Sequence, residues 1–236
     1  MALTVLVTGA SKGIGAAVAL AFAERLQDGV SLALVSRTEA ALDEVADACR
    51  ALGAEAAVCL CDVTDATAVE RLGADVLDRL GAPDVLVNNA GRFEPGGFLE
   101  TTPEALRQQI EVNAVSAFLV TQAFLPAMLE RRSGRVLMMG SVASVRGYAG
   151  GVAYGAAKHA LLGLARSLRE ETRGTGVGVT TLLPGATLTP SWDGVDLPPE
   201  RFMPPEDVAR VAVEVATLSG RSVVEEVLIR PAEGDL

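Results

Sequence analysis

The stretch AYGAAKHA, Ala153 to Ala160, holds one of the chain's two tyrosines, its only histidine and one of its two lysines. Lysine and arginine together number 20, and only Lys12 and Lys158 are lysine. Arginine serves at every other cationic position, so these two places call for something a guanidinium does not give. Tyr154 and Lys158 stand four apart in a helical pattern, GGVAYGAAKHALLGLARSLREE, and therefore project from one face. A phenol titrates near ~10 and is a poor proton donor or acceptor at neutral pH unless its anion is stabilised. A compact ammonium beside it supplies that stabilisation. A shift of about three units takes roughly 4 kcal/mol. A planar guanidinium would not keep the same geometry. His159 points about 100° away from Lys158 on a helix and does not share that face, so packing or a subunit contact is expected of it.

A second group of residues suits phosphate. TGASKGIG, Thr8 to Gly15, follows an apolar run and opens a helical pattern. Gly9, Gly13 and Gly15 allow a tight turn and close backbone approach, and a helix N-terminus adds NH groups with partial positive charge. Lys12 lies inside the turn. After the next apolar run come Ser36, Arg37 and Thr38, with no carboxylate. A carboxylate there would repel a phosphate, whereas a guanidinium binds one with paired hydrogen bonds.

The elements that must position these residues alternate along the chain. Apolar runs at 3–8, 31–36, 56–61, 84–89, 135–140, 177–183 and 223–229 read as buried strands. Helical patterns at 13–26, 38–52, 65–80, 104–131 and 152–172 lie between them. Such alternation predicts one α/β domain over 1–236, a doubly wound parallel sheet with both faces covered. Six of the 11 prolines fall between Pro184 and Pro205 around Trp192, which predicts a loop of about 185–205 acting as a substrate lid at the carboxyl ends of the strands.

Composition removes several classes. A net charge of -10 and a pI near 4.7 argue against nucleic acid or an anionic membrane as a general partner. Cys49, Cys59 and Cys61 are an odd set, read as buried free thiols in a reducing cytosol, and no metal site is expected. The start, MALTVLVTGA, enters a strand at once, so no secretory leader is expected. Val112–Leu129 is uncharged, but Asn113, Ser116, Gln122 and Pro126 within it favour a core or subunit-interface helix over a membrane span.

The spacing TGxxxGxG, then NNAG at Asn88–Gly91, then Ser141 ahead of Tyr154-xxx-Lys158, and PGATLT at Pro184–Thr189, resembles the short-chain dehydrogenase/reductase family over essentially the whole chain. The resemblance implies a Rossmann fold and an oxidoreductase that uses a nicotinamide dinucleotide. Arg37 and Lys12, with no acid beside them, favour NADP(H) over NAD. On the phosphate side the implied cofactor residues are Gly9, Ser11, Lys12, Gly13, Ile14 and Gly15, with Ser36 and Arg37. Asp62 and Val63 would meet the adenine, and Asn89, Ala90 and Gly91 the middle of the cofactor. Tyr154, Lys158, Pro184, Gly185, Thr187 and Thr189 would lie on its nicotinamide side.

The same resemblance assigns Tyr154 as proton donor to a carbonyl oxygen and Ser141 as its polarising partner. Lys158 would lower the tyrosine's pKa and hold the ribose, and Asn113 would support a water-mediated proton path. Ser141, Tyr148, Tyr154 and Trp192 are the expected substrate pocket. The ending SVVEEVLIRPAEGDL, with TPSWDGV and MPPEDVA, is similar to the bacterial sepiapterin-reductase-like subgroup, which implies reduction of a pterin side-chain ketone. A 3-oxoacyl-carrier-protein reductase is the alternative, with ERRSGR, Arg169 and Arg173 as its docking cations. A broad diketone or quinone reductase and a non-enzymatic dinucleotide sensor complete the alternatives. A cytoplasmic homodimer or homotetramer is expected, paired through the helices at 104–131 and 152–172.

Overall fold

The computed structural model describes residues 2–235. Met1 and Leu236, the ends of the expected 1–236 domain, lie outside the described residues. Seven strands form one sheet: β1 Leu3–Thr8, β2 Val30–Ser36, β3 Glu55–Leu60, β4 Val85–Asn88, β5 Gly134–Met139, β6 Val177–Pro184 and β7 Glu226–Ile229. Every pairing is parallel, in the order β3-β2-β1-β4-β5-β6-β7. The chain winds outward from β1 in one direction and from β4 in the other. Their shared edge is therefore the switch point, where the crevice beyond the strand ends takes a ligand. The fold is a single-domain Rossmann fold.

Seven α-helices cover the two faces: α1 Gly13–Leu26, α2 Glu39–Ala51, α3 Ala66–Leu80, α4 Pro103–Ile110, α5 Ser116–Arg131, α6 Val152–Glu171 and α7 Pro205–Ala216. Alternate residues of β1 feed two separate cores. Val5 and Val7 pack with Phe22, Leu42, Val208 and Val213 under α1, α2 and α7. Leu6 packs with Val76, Val120, Phe124 and Leu161 under α3, α5 and α6. Because both faces are covered, the strands read as unbroken apolar runs. Phe22 and Phe124 are fully buried, each contributing about 2–3 kcal/mol through area removed from water.

One expected element divides. The helical pattern at 104–131 is α4, then a π-helical turn over Glu111–Val115, then α5. Thr102 caps α4 by accepting from the Ala105 N–H (3.1 Å), with Pro103 in the first turn. In the π turn the Ser116 N–H bonds back to Glu111, and the Ser116 hydroxyl donates to the Val112 carbonyl at 2.8 Å. The turn shifts helical phase by one residue, which apolar periodicity does not register. The run Pro103–Arg131 is the one helix among the described residues long and apolar enough to cross a membrane. In this fold it is a structural layer, packed on α3, α6, β4 and β5. The last strand is shorter than its apolar run and begins at Glu226.

Candidate active site

The glycine turn is built by contacts across the switch point. The Thr8 hydroxyl at the end of β1 accepts from the N–H groups of Asn89 and Ala90, both at 3.0 Å, and donates to the Val87 carbonyl at 3.3 Å. The Asn89 amide donates to the carbonyls of Thr8 (3.0 Å) and Gly9 (3.2 Å). This clamp leaves no room for side chains. A Cβ at Gly9, whose φ is +65°, would lie 2.9 Å from the Ala90 Cα, and one at Gly15 would lie 2.2 Å from the Gly9 carbonyl oxygen. Ser11, Lys12 and Ile14 complete the turn into α1. A Cβ on Gly13 would sit 3.2 Å from the Thr189 methyl. The 185–205 segment therefore starts directly over the turn. The result is a bare backbone cradle at a helix N-terminus, the shape and polarity that suit a pyrophosphate.

The neighbouring strand ends bring the cations there. Ala10 N–H donates to Val35 O at 3.2 Å, so Ser36 and Arg37 flank the turn. The Ser36 hydroxyl accepts from the Thr38 N–H at 3.1 Å. Arg37 lies 3.7 Å from Asp62 and is 73% exposed, free to turn toward an added anion. Asp62 is held mainly by Thr64, whose N–H and hydroxyl donate to it at 3.0 and 2.7 Å, and these bonds hold its carboxyl below the usual range. Val63 is buried beside it.

The chemistry end forms where β5 meets α6. Gly140 N–H donates to Leu182 O (2.8 Å), and Ser141 then caps a short 3₁₀ turn, Val142–Ser144. The Ser141 oxygen accepts from the Ala143 N–H and its own N–H donates to the Ser144 hydroxyl, both at 3.1 Å. The Ser141 O–H is then directed to Tyr154. Tyr154 is half-buried, and burial pushes its phenol up to about 12, the reverse of the lowering expected from Lys158, because desolvation dominates in the cofactor-free chain. A hydrogen bond with Ser141 works in the opposite direction, and Tyr148 adds a small upward contribution.

Lys158, 4% exposed, donates from Nζ to the Met139 carbonyl at 2.7 Å and lies 5.6 Å from the Tyr154 ring centroid. Burial brings its ammonium down to about 8. Asn113 sits in the π turn. Its Oδ1 accepts from Arg92 N–H (3.1 Å), while its Nδ2 donates to the carbonyls of Arg92 (2.9 Å) and Gln109 (3.0 Å). Gly91 is squeezed between them: a Cβ there would lie 2.6 Å from Asn113 Oδ1 and 3.6 Å from Lys158 Nζ. One compact group thus holds Ser141, Tyr154, Lys158, Gly91 and Asn113.

The 185–205 segment is closed at its base. Leu188 N–H donates to Met203 O (2.8 Å) and Met203 N–H to Ala186 O (2.9 Å), forming a bridge between Thr187 and Met203. Gly185 N–H bonds Ile229 O (2.8 Å), which ties Pro184–Gly185 to β7. Trp192 packs at a tilt on Phe202, 5.0 Å between ring centroids, so its ring serves as an anchor within the segment. Tyr148 is 44% exposed and its ring covers Gly151, one turn ahead of Tyr154. His159 bonds the Gly155 carbonyl of its own helix (2.8 Å) and stays outside the cluster.

Sequence reasoning overlooked three contributors. Thr8 organises the clamp, Phe93 packs its ring edge-on to Tyr154 at 5.2 Å, and Gln109 lies fully buried against Asn113. All three act through long-range contacts or a π turn, and only the position of Thr8 within its motif offered any signal.

The arginines expected as docking cations each have partners within the chain. Arg131 donates to the carbonyls of Ala82 and Pro83, both at 2.8 Å, and pairs with Asp84. Arg132 caps Gly174 O. Arg135 is buried and donates to the carbonyls of Leu218, Ser219 and Ser222. Arg169 and Arg173 pair with Glu225 and Glu170. The ERRSGR segment lies at the start of β5, about 20 Å of strand from Ser141.

A family model described as short chain dehydrogenase matches residues 3–197. The chain belongs to that family and is an oxidoreductase. Sepiapterin reductase of Chlorobaculum tepidum is 36% identical over 236 residues, covering 98% of this chain and 97% of that protein. The 1-deoxy-11-beta-hydroxypentalenate dehydrogenase of Streptomyces exfoliatus is 43% identical over 195 residues, covering 81% of this chain and 70% of its own. Among solved structures, a metagenomic short-chain oxidoreductase in complex with NADP matches with a TM-score of 0.85 and 35% identity, over 98% of this chain and 97% of that one. An alcohol dehydrogenase from Thermococcus sibiricus, complexed with 5-hydroxy-NADP, matches with a TM-score of 0.89 and 31% identity, over the same shares.

Proposed function

We propose that this protein is an NADPH-dependent carbonyl reductase whose substrate is a ketone of the sepiapterin type. The observation that carries the reading is the joint placement of Ser141, Tyr154 and buried Lys158 at the switch-point crevice, beside a glycine cradle that a single Cβ would fill. Gly9, Ser11, Lys12, Gly13, Ile14 and Gly15 hold the pyrophosphate, and Arg37 takes a 2′-phosphate. Asp62 and Val63 border the adenine, Asn89 to Gly91 the central part, and Pro184, Gly185, Thr187 and Thr189 the nicotinamide side. The NADP-bound structural neighbours support this choice of cofactor.

NADPH, when bound, supplies a hydride to the carbonyl carbon. The chain's own residues manage the proton. A phenol held up to about 12 keeps its proton at neutral pH, which is the state a donor needs. Tyr154 passes that proton to the carbonyl oxygen as charge develops there, while the Ser141 O–H turns from the phenol to bond the same oxygen. Lys158, 5.6 Å from the Tyr154 ring centroid, stabilises the tyrosinate left behind. The segment from about 185 to 205 is the substrate lid of the single domain, anchored by Trp192 on Phe202, with Tyr148 on its pocket side. A second copy of the chain covers the groove of about 270 Å³ between α5 and α6, where Phe118 and Leu164 stand exposed. We assign the enzyme to the cytoplasm.

A second reading has its own support. Phe98 and Leu99, in the loop after β4, are 81% and 93% exposed, and Leu188, Val195 and Leu197 of the lid are also exposed. An apolar rim favours a bulkier apolar ketone, in line with the hydroxypentalenate dehydrogenase relative. The test is loss of NADPH absorbance with sepiapterin, an acetoacetyl thioester, a vicinal diketone and an apolar cyclic ketone, each repeated with NADH. Preference for sepiapterin with NADPH supports the first reading, and preference for the cyclic ketone the second. Arg37→Asp should weaken NADPH binding at least tenfold and narrow or reverse the preference over NADH. An unchanged preference would remove Arg37 from the site.

A further inference from the structure

Gln109 is fully buried at the end of α4, one turn before Asn113. Local hydrogen bonds fix the orientation of both amides. Arg92 N–H needs an acceptor, so Asn113 must turn Oδ1 toward it, and Asn113 Nδ2 then faces the Arg92 carbonyl and Gln109. Facing a donor, Gln109 must present Oε1, which accepts from Asn113 Nδ2 at 3.2 Å. A flipped Gln109 would set two NH₂ groups against each other. The forced orientation leaves Gln109 Nε2 buried with no protein acceptor.

A buried amide donor without a partner is costly, and such groups in folded proteins are met by ordered water. This donor is bonded through its own amide to Asn113, which pins the backbone at Arg92 next to Gly91 and Lys158. We propose that Gln109 is a positioning residue for the proton path: its side-chain carbonyl braces the Asn113 amide in the orientation that Arg92 sets, and its Nε2 holds a buried water beside it. The inference rests on the reductase reading above and adds a residue to it. Gln109 touches neither substrate nor cofactor and acts through Asn113. The π turn brings the two amides into register, a placement often found at working sites.

Gln109→Met keeps the volume and removes both bonds, while Gln109→Glu keeps an oxygen toward Asn113. The assay is NADPH-dependent reduction of the best carbonyl substrate by the full chain. Gln109→Met should lower kcat about tenfold, with NADPH affinity within twofold of native. Gln109→Glu should recover at least a third of the native rate, and it serves as the second variant should Met not fold. The double variant Gln109→Met/Asn113→Ala should be no slower than Asn113→Ala alone, because one acts through the other. A crystal structure of the native protein should show an ordered water within hydrogen-bond distance of Nε2. Native kcat in Gln109→Met, multiplied losses in the double variant, or a protein acceptor on Nε2 would each overturn the proposal. If Tyr154→Phe stays fully active, the reductase reading fails instead, and the water at Nε2 still reports on Gln109 separately.

Discussion

Lys158→Met should make the cofactor-free protein more stable at pH 7 than the native chain, and the difference should shrink as pH rises and change sign by about pH 10. Lys158 is buried with the Met139 carbonyl as its hydrogen-bond partner, and it pairs with no carboxylate among the described residues. Burial brings its pKa from the ordinary 10.5 down to about 8, a difference worth about 3 kcal/mol. Below pH 8 both folded and unfolded chains carry the ammonium, so the folded state bears the whole cost of burying it. Between about 8 and 10.5 the unfolded chain binds more protons than the folded one, so native stability rises with pH. Methionine fills a similar volume with no charge, and it forfeits the bond to Met139, about 1–2 kcal/mol. The net gain expected at pH 7 is about 1–2 kcal/mol. Denaturant unfolding of both proteins at pH 7, 8, 9 and 10 reads the difference. Tyr154, whose raised pKa weakens the fold only above pH 10, is common to both and cancels. A difference that stays flat across this range, or a variant less stable at pH 7, would refute the reasoning.

Gly15→Ala puts a methyl group 2.2 Å from the Gly9 carbonyl and 2.4 Å from the Asn89 amide. It should cost about 3 kcal/mol in thermal or denaturant unfolding and lower NADPH affinity at least tenfold. The three thiols are free and buried, with Cys49 and Cys61 pushed up to about 11 by burial. At pH 8 a thiol reagent should label the folded chain only as fast as it opens and all three cysteines at once in denaturant.

The strand-and-helix plan was legible because a sheet covered on both faces needs unbroken apolar runs, and six of the seven strands begin and end within one residue of theirs. The motif residues around Gly9, Ser141, Tyr154 and Lys158 were legible because each group is local in sequence. What remained hidden depends on chain returning from afar. The Thr8 hydroxyl meets residues about eighty positions away, and the edge-on contact of Phe93 with Tyr154 joins the loop after β4 to the first turn of α6. The π turn at Glu111–Val115 leaves the apolar pattern intact, so the pairing of Gln109 with Asn113 left no trace. Arginines 131, 132 and 135 read as a surface patch because composition does not reveal that carbonyl groups at loop ends engage them. Trp192 was readable as either a wall or an anchor, and its packing on Phe202 favours the anchor.

The central claim is that Tyr154 delivers the proton for an NADPH-dependent carbonyl reduction. The most direct measurement compares native protein and Tyr154→Phe, pairing NADPH affinity by fluorescence titration with turnover of the best carbonyl in the panel. The account predicts NADPH affinity within about twofold and turnover at least a hundredfold lower in the variant. Equal turnover in the two proteins, or a native protein that binds NADPH and reduces none of the carbonyls, would contradict it.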